Sequence, residues 1–360
     1  MTSSAEFAGV AYQRDHLLII PTHNHAETLA LAVQSAQNQT EQDLGIVVIG
    51  DGVTDDSRDA IAPIVKSDNR VSFLDRAKAV RHGEEYRDEV IRASKATTIA
   101  YSGDDDLLFP DHIETLSELL TGVDFVNSLP IFINPDGTLT HLPSDLSLPE
   151  SVSWHLDPNE RRNTVSLTGV MHTRSSYLGL PFGWRPAPIG RWTDHYMWEQ
   201  YFSMPNFTAR TSTRATTAKF PQHEREGMTA IQRGSELKEF ARQMSTTGFV
   251  EQWNARVREC ERQTIAWLAL EKTSLNAHLN SAVQRGEELS AEIDAIRQEC
   301  ERLRVALDIS DKRSDEIAAT VEAMVNSKSW KITAPLRKLR AAISPAAKYN
   351  QSEFGSEPLI

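Results

Sequence analysis

Hydrophobic and polar positions in the first 130 residues alternate between two spacings. Short apolar runs typical of strands are HLLII, GIVVIG, VSFLD and TTIAYS. Between these runs, apolar residues recur at helical spacing in AETLALAVQSAQNQ, DSRDAIAPIVKS, EEYRDEVIRASKA and PDHIETLSELL. Strands separated by helices of this length predict a mostly parallel sheet with helices on both faces. Ligands of such α/β sheets bind at the carboxyl ends of the strands.

The pattern changes in residues 131–240, which predict a second half of mixed α and β structure. The segment IFINPDGTLTH predicts a hairpin that turns at Pro135-Asp136-Gly137. VSLTGVMHT predicts a strand and TDHYMWEQYF a helix, with a loop rich in Trp, Pro and Gly between them. We therefore expect two halves, residues 1–130 and 131–240, ahead of a third type of sequence.

Residues 241–325 predict a helical region that contains a coiled coil. Positions from 265 to 324 repeat with alternating spacings of three and four, and fourteen of the eighteen are apolar. The eighteen positions are Ile265, Leu268, Lys272, Leu275, Leu279, Ala282, Gly286, Leu289, Ile293, Ile296, Cys300, Leu303, Leu307, Ser310, Ser314, Ile317, Val321 and Met324. A repeat this long is typical of a coiled coil of roughly 90 Å, and a dimer is the favoured state. A helix folded back on the preceding body is the alternative.

Residues 326–360 form a basic tail on an otherwise acidic chain. The stretch NSKSWKITAPLRKLRAAISPAAK has six Lys or Arg and no acidic residue. The apolar residues among these charges are Trp330, Ile332, Leu336, Leu339 and Ile343. Cations interleaved with apolar side chains are typical of a segment that binds a membrane surface, here residues 328–343. A solvated tail or a docking segment for a protein partner is the alternative.

Composition excludes several classes of protein. The 360 residues carry a formal net charge of −12, which argues against a general nucleic-acid binder because such proteins show a basic footprint. Cys260 and Cys300 are too few and too far apart for a disulfide framework or a zinc site. The start, MTSSAEFAGVAYQRDH, does not have the pattern of a signal peptide, and no run approaches the roughly 18 apolar residues of a membrane span. We expect a cytoplasmic protein, peripheral at the inner face of the cytoplasmic membrane.

The unusual polar residues directly follow predicted strands. YSGDDDLLFPD places Asp104, Asp105 and Asp106 after the fourth strand, and GDGVTDD places Asp51 after the second. A cluster of carboxylates suits Mg²⁺ or Mn²⁺ together with substrate phosphates, and Asp51 can accept a hydrogen bond from a nucleobase or a ribose. Asp106 could instead cap the helix that opens near Pro110, but a cap requires one acid and here there are three.

Two common nucleotide motifs are excluded. The chain has no G-x-x-x-x-G-K-[ST] sequence, which excludes a P-loop, and no G-x-G-x-x-G follows the first strand, which excludes a dinucleotide fingerprint. These exclusions leave one arrangement, in which an acid on the second strand and a metal ion on the fourth strand hold a nucleotide.

The stretches LLIIPTHNHAETLALAVQSAQNQTEQDLGIVVIGDGVTDDS and IAYSGDDDLLFPDHIETL together resemble the nucleotide-sugar-binding half of family 2 glycosyltransferases with the GT-A fold. The resemblance covers residues 15–125 well and 165–205 more loosely. It implies a Rossmann-like sheet, a mixed α/β acceptor half and an enzyme of the hexosyltransferase type. SWKITAPLRKL also resembles C-terminal tails of bacterial polysaccharide glycosyltransferases. The implied reaction is metal-dependent, inverting transfer from a nucleotide-diphosphate sugar, with a UDP-sugar favoured, to a cell-surface polysaccharide or lipid-linked glycan.

The resemblance also assigns roles to residues at the strand ends. The implied donor-binding residues are Pro21, Thr22, Asn24, Glu27, Asp51, Arg81, Arg87, Asp104 and Asp105. Asp106 is the implied direct metal ligand, with Asp104 beside it. Gly50 and Gly103 stand where many relatives carry a further acid, and Gly103 leaves the metal-ligand assignment open by one position.

A catalytic base is implied at the start of a helix in the second half. RWTDHYMWEQYF places Asp194 there, where it would take the proton from the acceptor hydroxyl, with Thr193 at the position of a companion acid. Glu199 is a weaker candidate for the base, and helix capping is the alternative role of Asp194. One displacement inverts the anomeric configuration, whereas retention requires a second nucleophile for which the sequence offers no candidate.

Histidines and tryptophans supply weaker candidates. His172 and His223 could complete the metal shell or touch the donor diphosphate, although a lone histidine is more often a surface or packing residue. Trp184, Trp192 and Trp198 crowd the acceptor segment, and aromatic faces stack well on sugar rings, but plain core packing is equally common for tryptophan.

Two other classes of function stay open. A non-catalytic coiled-coil scaffold with a degenerate nucleotide-sugar-binding head is favoured by Gly50 and Gly103 and opposed by the three aspartates and Asp194. A nucleotidyltransferase also binds a nucleotide and a metal on an α/β sheet, but it generally opens with a Gly-rich, Lys/Arg-bearing loop that PTHNHAE is not. Release of pyrophosphate instead of a nucleoside diphosphate would distinguish it.

Overall fold

The computed structural model describes residues 7–157 and 162–343, with side chains as far as residue 340, so the end of the predicted basic tail lies outside the described residues. The chain divides into two compact units, residues 1–270 and 271–360. The strands are β1 (His16–Thr22), β2 (Leu44–Asp51), β3 (Val71–Arg76), β4 (Thr98–Tyr101), β5 (Leu107–Leu108), β6 (Phe125–Asn127), β7 (Ile131–Ile133), β8 (Leu139–His141), β9 (Val170–Thr173), β10 (Ala209–Thr211) and β11 (Thr217–Ala218). The α-helices are α1 (Ala26–Gln37), α2 (Asp55–Ser67), α3 (Glu84–Ala93), α4 (His112–Leu119), α5 (Pro149–His155), α6 (Arg174–Leu178), α7 (Thr193–Phe202), α8 (Ala230–Met244), α9 (Phe249–Asn326), α10 (Lys328–Ile332) and α11 (Ala334–Ile343).

The central sheet has seven strands in the order β10-β6-β9-β4-β1-β2-β3. β1 pairs in parallel with β2 and β4, with Leu18 opposite Ile46 on one side and Ala100 on the other. β2 is also parallel to β3 and β6 to β10, whereas β9 runs antiparallel to both β4 and β6. The predicted mostly parallel sheet is therefore confirmed, and it includes strands from both predicted halves.

Helices cover both faces of the sheet. Leu17 and Ile19 pack into one apolar cluster with side chains of α3, α6 and α7, while Leu18 and Ile20 pack into a second cluster with α1, α2 and α4. Successive side chains of a strand point to opposite faces, so a strand covered on both sides must be apolar throughout. This explains why β1 and β2 appear in the sequence as unbroken apolar runs.

Two glycines on β2 and just after it permit close approaches of the backbone. A Cβ atom on Gly45 would lie 1.8 Å from the carbonyl oxygen of Ala11, which belongs to a short 3-10 helix. Gly52 adopts a φ of +66°, and a Cβ there would lie 2.6 Å from the Cβ of Lys78. The second approach brings the segment after β3 onto the end of β2, where it contributes to the candidate site.

The second half adds smaller elements around the sheet. β7 and β8 pair as the predicted hairpin, closed by a hydrogen bond from Asn134 N to Thr138 O of 2.9 Å. The predicted strand VSLTGVMHT is shorter than expected, because only Val170–Thr173 pairs in the sheet as β9. A third apolar cluster joins β5, β7 and β11 to α8 and to the first turns of α9, where Trp253 Nε1 donates to Ala215 O at 2.9 Å.

The helix α9 is continuous over 78 residues, which confirms the predicted long C-terminal helix. The face formed by the repeat positions from 265 to 324, here called the seam, is open to solvent: its large apolar side chains are 37–62% exposed. Pairing of the seam with another helix stays a prediction. Among the residues that the structure describes, no helix combines the length and apolar character needed to cross a bilayer.

Candidate active site

The carboxyl ends of β1, β2 and β4 meet at one cleft of about 310 Å³. These three strands are neighbours in the sheet, so the loops that follow them must lie side by side. The lining residues are Pro21, Thr22, His23, His25, Asp51, Lys78, Arg81, His82, Arg87 and Asp104. Most of the predicted donor-binding positions therefore come together, whereas Asn24 and Glu27 lie exposed on the adjoining turn and the first turn of α1.

Asp51 ends β2 and is buried at the base of the cleft. Its Oδ1 accepts a hydrogen bond of 2.6 Å from the backbone N–H of Ala79, and its carboxylate contacts the ammonium of Lys78. The ring Nδ1 of His23 lies 2.7 Å from the backbone oxygen of Asp51. The segment after β3 thus fixes the position of Asp51. The lysine that forms the ion pair with Asp51 is half-exposed, so a ligand can reach it.

An acidic cluster with one histidine follows β4. His25 Nδ1 lies 2.8 Å from Asp104 Oδ1, and this hydrogen bond raises the pKa of His25 although burial opposes the charged ring. Ligand atoms of His25, Asp104 and Asp105 all lie within 4.8 Å of one another. The two carboxylates suit Mn²⁺ or Mg²⁺, so Asp104 and Asp105 fit the metal that the sequence predicts, with His25 as a further candidate ligand.

Asp105 forms an ion pair with an arginine that lies outside the predicted donor-binding half. Its carboxylate contacts the guanidinium of Arg233 on α8. Burial, followed by the charges of Asp106 and Asp104, raises the pKa of Asp105 to about 6. The α8 helix lies close to α1 here, because a Cβ on Gly234 would come within 2.9 Å of the Cβ of Glu27. A single arginine therefore covers an acidic cluster at the edge of the cleft.

Asp106, the predicted direct metal ligand, has a different environment. It is 1% exposed and accepts from Lys219 Nζ at 3.0 Å and from the backbone N–H of Phe220 at 2.9 Å, and it also contacts the hydroxyl of Thr168. Burial disfavours the charged ammonium of Lys219, but Asp106 and Asp105 together raise its pKa. Its carboxylate thus has three donors from the second half and connects the residue before β5 to the residues that follow β11, the strand that pairs with β5. The candidate metal ligands are instead His25, Asp104 and Asp105.

Arg87 is a buried cation with free hydrogen-bonding capacity. It is 5% exposed, and its Nε and Nη1 atoms have no hydrogen-bond partner among the described residues. Its guanidinium carbon lies 4.8 Å from the centre of the Trp184 ring, and burial lowers its pKa while Glu84 raises it. Arg81 is committed elsewhere: its Nη1 donates to the carbonyl oxygens of Ala187 and Pro188 at 2.8 and 3.1 Å. Arg87 is therefore the cation of this pair that can serve an anionic ligand.

Asp194 lies in the first turn of α7. The N-cap of α7 is Trp192, with no side-chain hydrogen bond to the cap, and Asp194 Oδ1 accepts instead from the N–H of His195 at 2.9 Å. The hydroxyl of Thr193, next to Asp194, donates to Glu84 Oε1 at 3.2 Å, which joins the start of α7 to the start of α3, the helix that carries Arg87. Glu199, the weaker candidate, contacts Arg191.

Of the two histidine candidates, His172 is a core residue and His223 lies at the surface. His172 is fully buried, with Nε2 at 2.8 Å from the hydroxyl of Tyr101 and Nδ1 at 3.0 Å from the backbone oxygen of Thr173. Burial lowers the pKa of His172 to about 4. Both ring nitrogens are used, so His172 has none to offer to a metal. His223 lies on an exposed 3-10 helix, 3.4 Å from Glu224 and outside the cluster.

The three tryptophans fall into two groups. Trp198 is 0% exposed and donates from Nε1 to Val165 O at 3.1 Å, and Trp184 is 2% exposed and donates to the hydroxyl of Tyr101 at 2.9 Å. Their burial argues against the prediction that they stack on an acceptor sugar. Trp192 is 48% exposed, so stacking on an acceptor sugar stays a prediction for this residue.

Sequence reasoning missed four partners of the acidic residues. His25 stands five residues after the end of the predicted first strand, at the start of a helix, and its position beside PTHN was a usable signal. Lys78, Lys219 and Arg233 reach the acids from distant segments with no local motif. Such contacts depend on how the chain folds and not on spacing.

Part of this chain is similar in sequence to known glycosyltransferases. Residues 17–180 match glycosyl transferase family 2. This part of the chain is therefore similar to family 2 glycosyltransferases. A GalNAc(5)-diNAcBac-PP-undecaprenol beta-1,3-glucosyltransferase of Campylobacter jejuni is 26% identical over 101 residues, which are 28% of this chain and 33% of that protein. An uncharacterized glycosyltransferase of Rickettsia bellii is 28% identical over 111 residues, 31% of this chain and 16% of that protein.

The matched region therefore spans a third or less of these curated relatives. Among solved structures, S. aureus TarS 1-349 superposes with a TM-score of 0.47 at 10% identity, covering 64% of this chain and 69% of that one. The same fragment in complex with UDP-GlcNAc gives a TM-score of 0.47 at 11% identity, with coverage of 63% and 65%.

Proposed function

We propose that this protein is a metal-dependent, inverting glycosyltransferase that uses a nucleotide-diphosphate sugar, with a UDP-sugar favoured. The carrying observation is the cleft at the ends of β1, β2 and β4, where Asp51, the cluster of His25, Asp104 and Asp105, and Arg87 converge inside the region that matches glycosyl transferase family 2. A nucleoside diphosphate requires a hydrogen-bond acceptor for its nucleobase, a divalent-cation site and a cation for its phosphates, and these residues supply candidates for all three.

The donor would bind with its nucleoside toward Asp51 and Thr22 and its diphosphate toward the acidic cluster. Asp51 would accept from the base or ribose, with Lys78 free to move toward a phosphate. His25, Asp104 and Asp105 would hold Mn²⁺ or Mg²⁺, and such an ion neutralises charge on a leaving diphosphate. Arg87 would donate its unused N–H groups to the same anion, and charge-assisted hydrogen bonds of this kind are strong.

Asp194 would act as the general base. It stands in the first turn of α7, and the hydrogen bond from Thr193 to Glu84 joins this turn to α3, the helix that carries Arg87. Attack by the acceptor oxygen on the anomeric carbon then displaces the nucleoside diphosphate in one step and inverts the configuration. General base catalysis of this type contributes about 10²- to 10⁴-fold to the rate. Residues 131–240, with Trp192 at the surface, would form the acceptor side.

The acceptor would be a lipid-linked glycan or a cell-surface polysaccharide. The name of the Campylobacter relative describes transfer to an undecaprenol-linked glycan, which supports an acceptor at the membrane. The basic helices α10 and α11 support the same location, because Trp330, Ile332, Leu336 and Leu339 are exposed among five Lys or Arg in residues 328–340. Two or more copies would associate through the seam of α9.

The reaction itself provides the test. The purified protein is incubated with UDP-, GDP- and TDP-sugars, Mn²⁺ and a membrane lipid extract, and the nucleotide product and the anomeric configuration of the new linkage are determined. We expect a nucleoside diphosphate, an inverted linkage, loss with EDTA and loss in Asp104→Asn. Asp59→Asn on exposed α2 is the matched control and should retain activity. Release of pyrophosphate would indicate a nucleotidyltransferase, and absence of any turnover with every donor would indicate a scaffold.

A further inference from the structure

The seam of α9 has the features of a two-stranded parallel coiled coil. With Ile265 at position a of the heptad, the β-branched residues Ile265, Ile293 and Val321 occupy three of the nine a positions, and Leu279 and Leu307 occupy two others. The leucines Leu268, Leu275, Leu289 and Leu303 occupy d positions. β-Branched residues at a with Leu at d favour two parallel strands, and a single Lys at a, here Lys272, specifies register and oligomeric state. All these apolar side chains are at least 37% exposed in the single chain.

Charges on both sides of the seam specify the direction of the partner helix. Glu292 and Glu299 occupy g positions, while Arg297 and Arg304 occupy e positions five residues later in each case. In a parallel, in-register pair, a g residue faces the e residue five positions later on the other helix. Each glutamate would then face an arginine of the second copy, which gives four opposite-charge pairs by symmetry.

The antiparallel alternative is disfavoured by the same residues. When this stretch faces itself in the opposite direction, g positions face g positions and e positions face e positions. Glutamate would then meet glutamate and arginine would meet arginine, and like charges at these positions are repulsive. Arg297 and Glu299 already form ion pairs within the single helix, with Asp294 at 3.2 Å and with Arg302 at 3.4 Å. These pairs are exposed and contribute little to stability, so both residues can pair with the second helix instead.

We propose that the seam pairs with the seam of a second copy of this chain, in parallel and in register. This inference rests on the proposed self-association and adds its direction. Position a then faces position a of the second helix, so Cys300 of one copy lies opposite Cys300 of the other. The basic helices α10 and α11 of both copies follow the same end of the coiled coil. Two weakly binding segments can therefore engage one membrane together, and avidity exceeds the affinity of either one.

The test uses the cysteines of the chain. The full-length protein in a Cys260→Ser background is sized by light scattering, which should give twice 40.3 kDa, and is then oxidised with copper(II)–phenanthroline. We expect a disulfide-linked dimer through Cys300, which is lost in Cys300→Ser. The matched control moves the thiol by one residue, Cys300→Ser with Glu301→Cys, which places it at a b position outside the seam. Cysteines whose Cα atoms are more than about 7 Å apart cannot be bridged without backbone movement, so the control should not cross-link.

Two outcomes separate the inference from the proposal beneath it. A monomer in light scattering overturns self-association and the inference with it. A dimer that does not cross-link through Cys300, or that cross-links equally well through residue 301, overturns the parallel register and leaves self-association standing. A trimer or tetramer overturns the two-stranded state.

Discussion

The cleft at the end of the sheet and the seam of α9 use their side chains in opposite ways. In and beside the cleft, acids that follow β2 and β4 contact cations from other segments of the chain: Asp51 with Lys78, Asp105 with Arg233 and Asp106 with Lys219. Along the seam, apolar side chains repeat at the surface and ion pairs join neighbours three or four residues apart. The cleft is assembled by the tertiary fold, whereas the seam is left to be covered by another helix.

This difference means that the two regions should fail independently. A substitution in the cleft should change donor binding or turnover and leave the oligomeric state unchanged. A substitution in the seam should change the oligomeric state and leave the cleft intact.

Asp194→Asn should lower turnover by about 10²- to 10⁴-fold, because it removes the proposed base and keeps the shape of the side chain. Donor binding, measured by titration with UDP and Mn²⁺, should be unchanged. Glu199→Gln, on the same helix but in contact with Arg191, should have a much smaller effect on turnover. Equal losses in both variants would contradict the assignment of the base.

Ile293→Asp combined with Ile296→Asp should convert the dimer into a monomer, because burial of an unpaired carboxylate at an apolar interface costs several kcal/mol. The melting shift caused by UDP and Mn²⁺ should be the same as in the wild type. The control is Ala291→Asp with Ala295→Asp, which lie outside the seam on the same helix turns. Loss of nucleotide binding together with the dimer would show that the two regions are coupled.

Arg87→Met should weaken donor binding by about tenfold to hundredfold, since hydrogen bonds to charged groups contribute about 1.5–3 kcal/mol. The ligand-free protein should melt at the same temperature or higher, because the substitution removes a buried cation whose Nε and Nη1 have no partner among the described residues. Arg92→Met on the same helix is the control, since Arg92 pairs with Asp88. A large loss of stability in Arg87→Met without any effect on the donor would assign Arg87 a structural role.

Arg233→Gln should give the smallest effect, a several-fold tighter binding of Mn²⁺ in titration calorimetry without nucleotide. Arg233 contacts Asp105, so its positive charge competes with a cation for the same carboxylate. Arg242→Gln, further along α8, pairs with Glu239 and serves as the control. Weaker Mn²⁺ binding in Arg233→Gln would show that the arginine supports the cluster instead of competing with it.

Much of the sheet edge could be predicted because its signals are local. β1, β2 and β4 are apolar runs covered on both faces, and Asp51 and Asp104 directly follow strands, so their common edge followed from the fold class. The long helix was equally accessible, since its repeat lies within consecutive residues.

Contacts between distant segments were not accessible in the same way. The position of Asp106 depends on Lys219 and Phe220, more than a hundred residues away, so three adjacent aspartates could not be ranked from their order. Burial was misjudged for a related reason. His172 lies on β9, which has neighbours on both sides, and Trp198 lies on the inner face of α7. Each residue lies in a segment with many polar residues, and the strands and helices that bury it come from other parts of the chain.

The most direct measurement of the central claim is the melting temperature with UDP, with and without Mn²⁺, for the wild type, Asp104→Asn and Asp59→Asn. A ligand at 100 times its Kd stabilises a protein by about 2.7 kcal/mol, which a melt resolves easily. We predict that UDP stabilises the wild type and Asp59→Asn only when Mn²⁺ is present, and that Asp104→Asn shows no shift. Stabilisation of Asp104→Asn equal to that of the wild type would contradict the claim that the acids after β4 form a metal-dependent donor site.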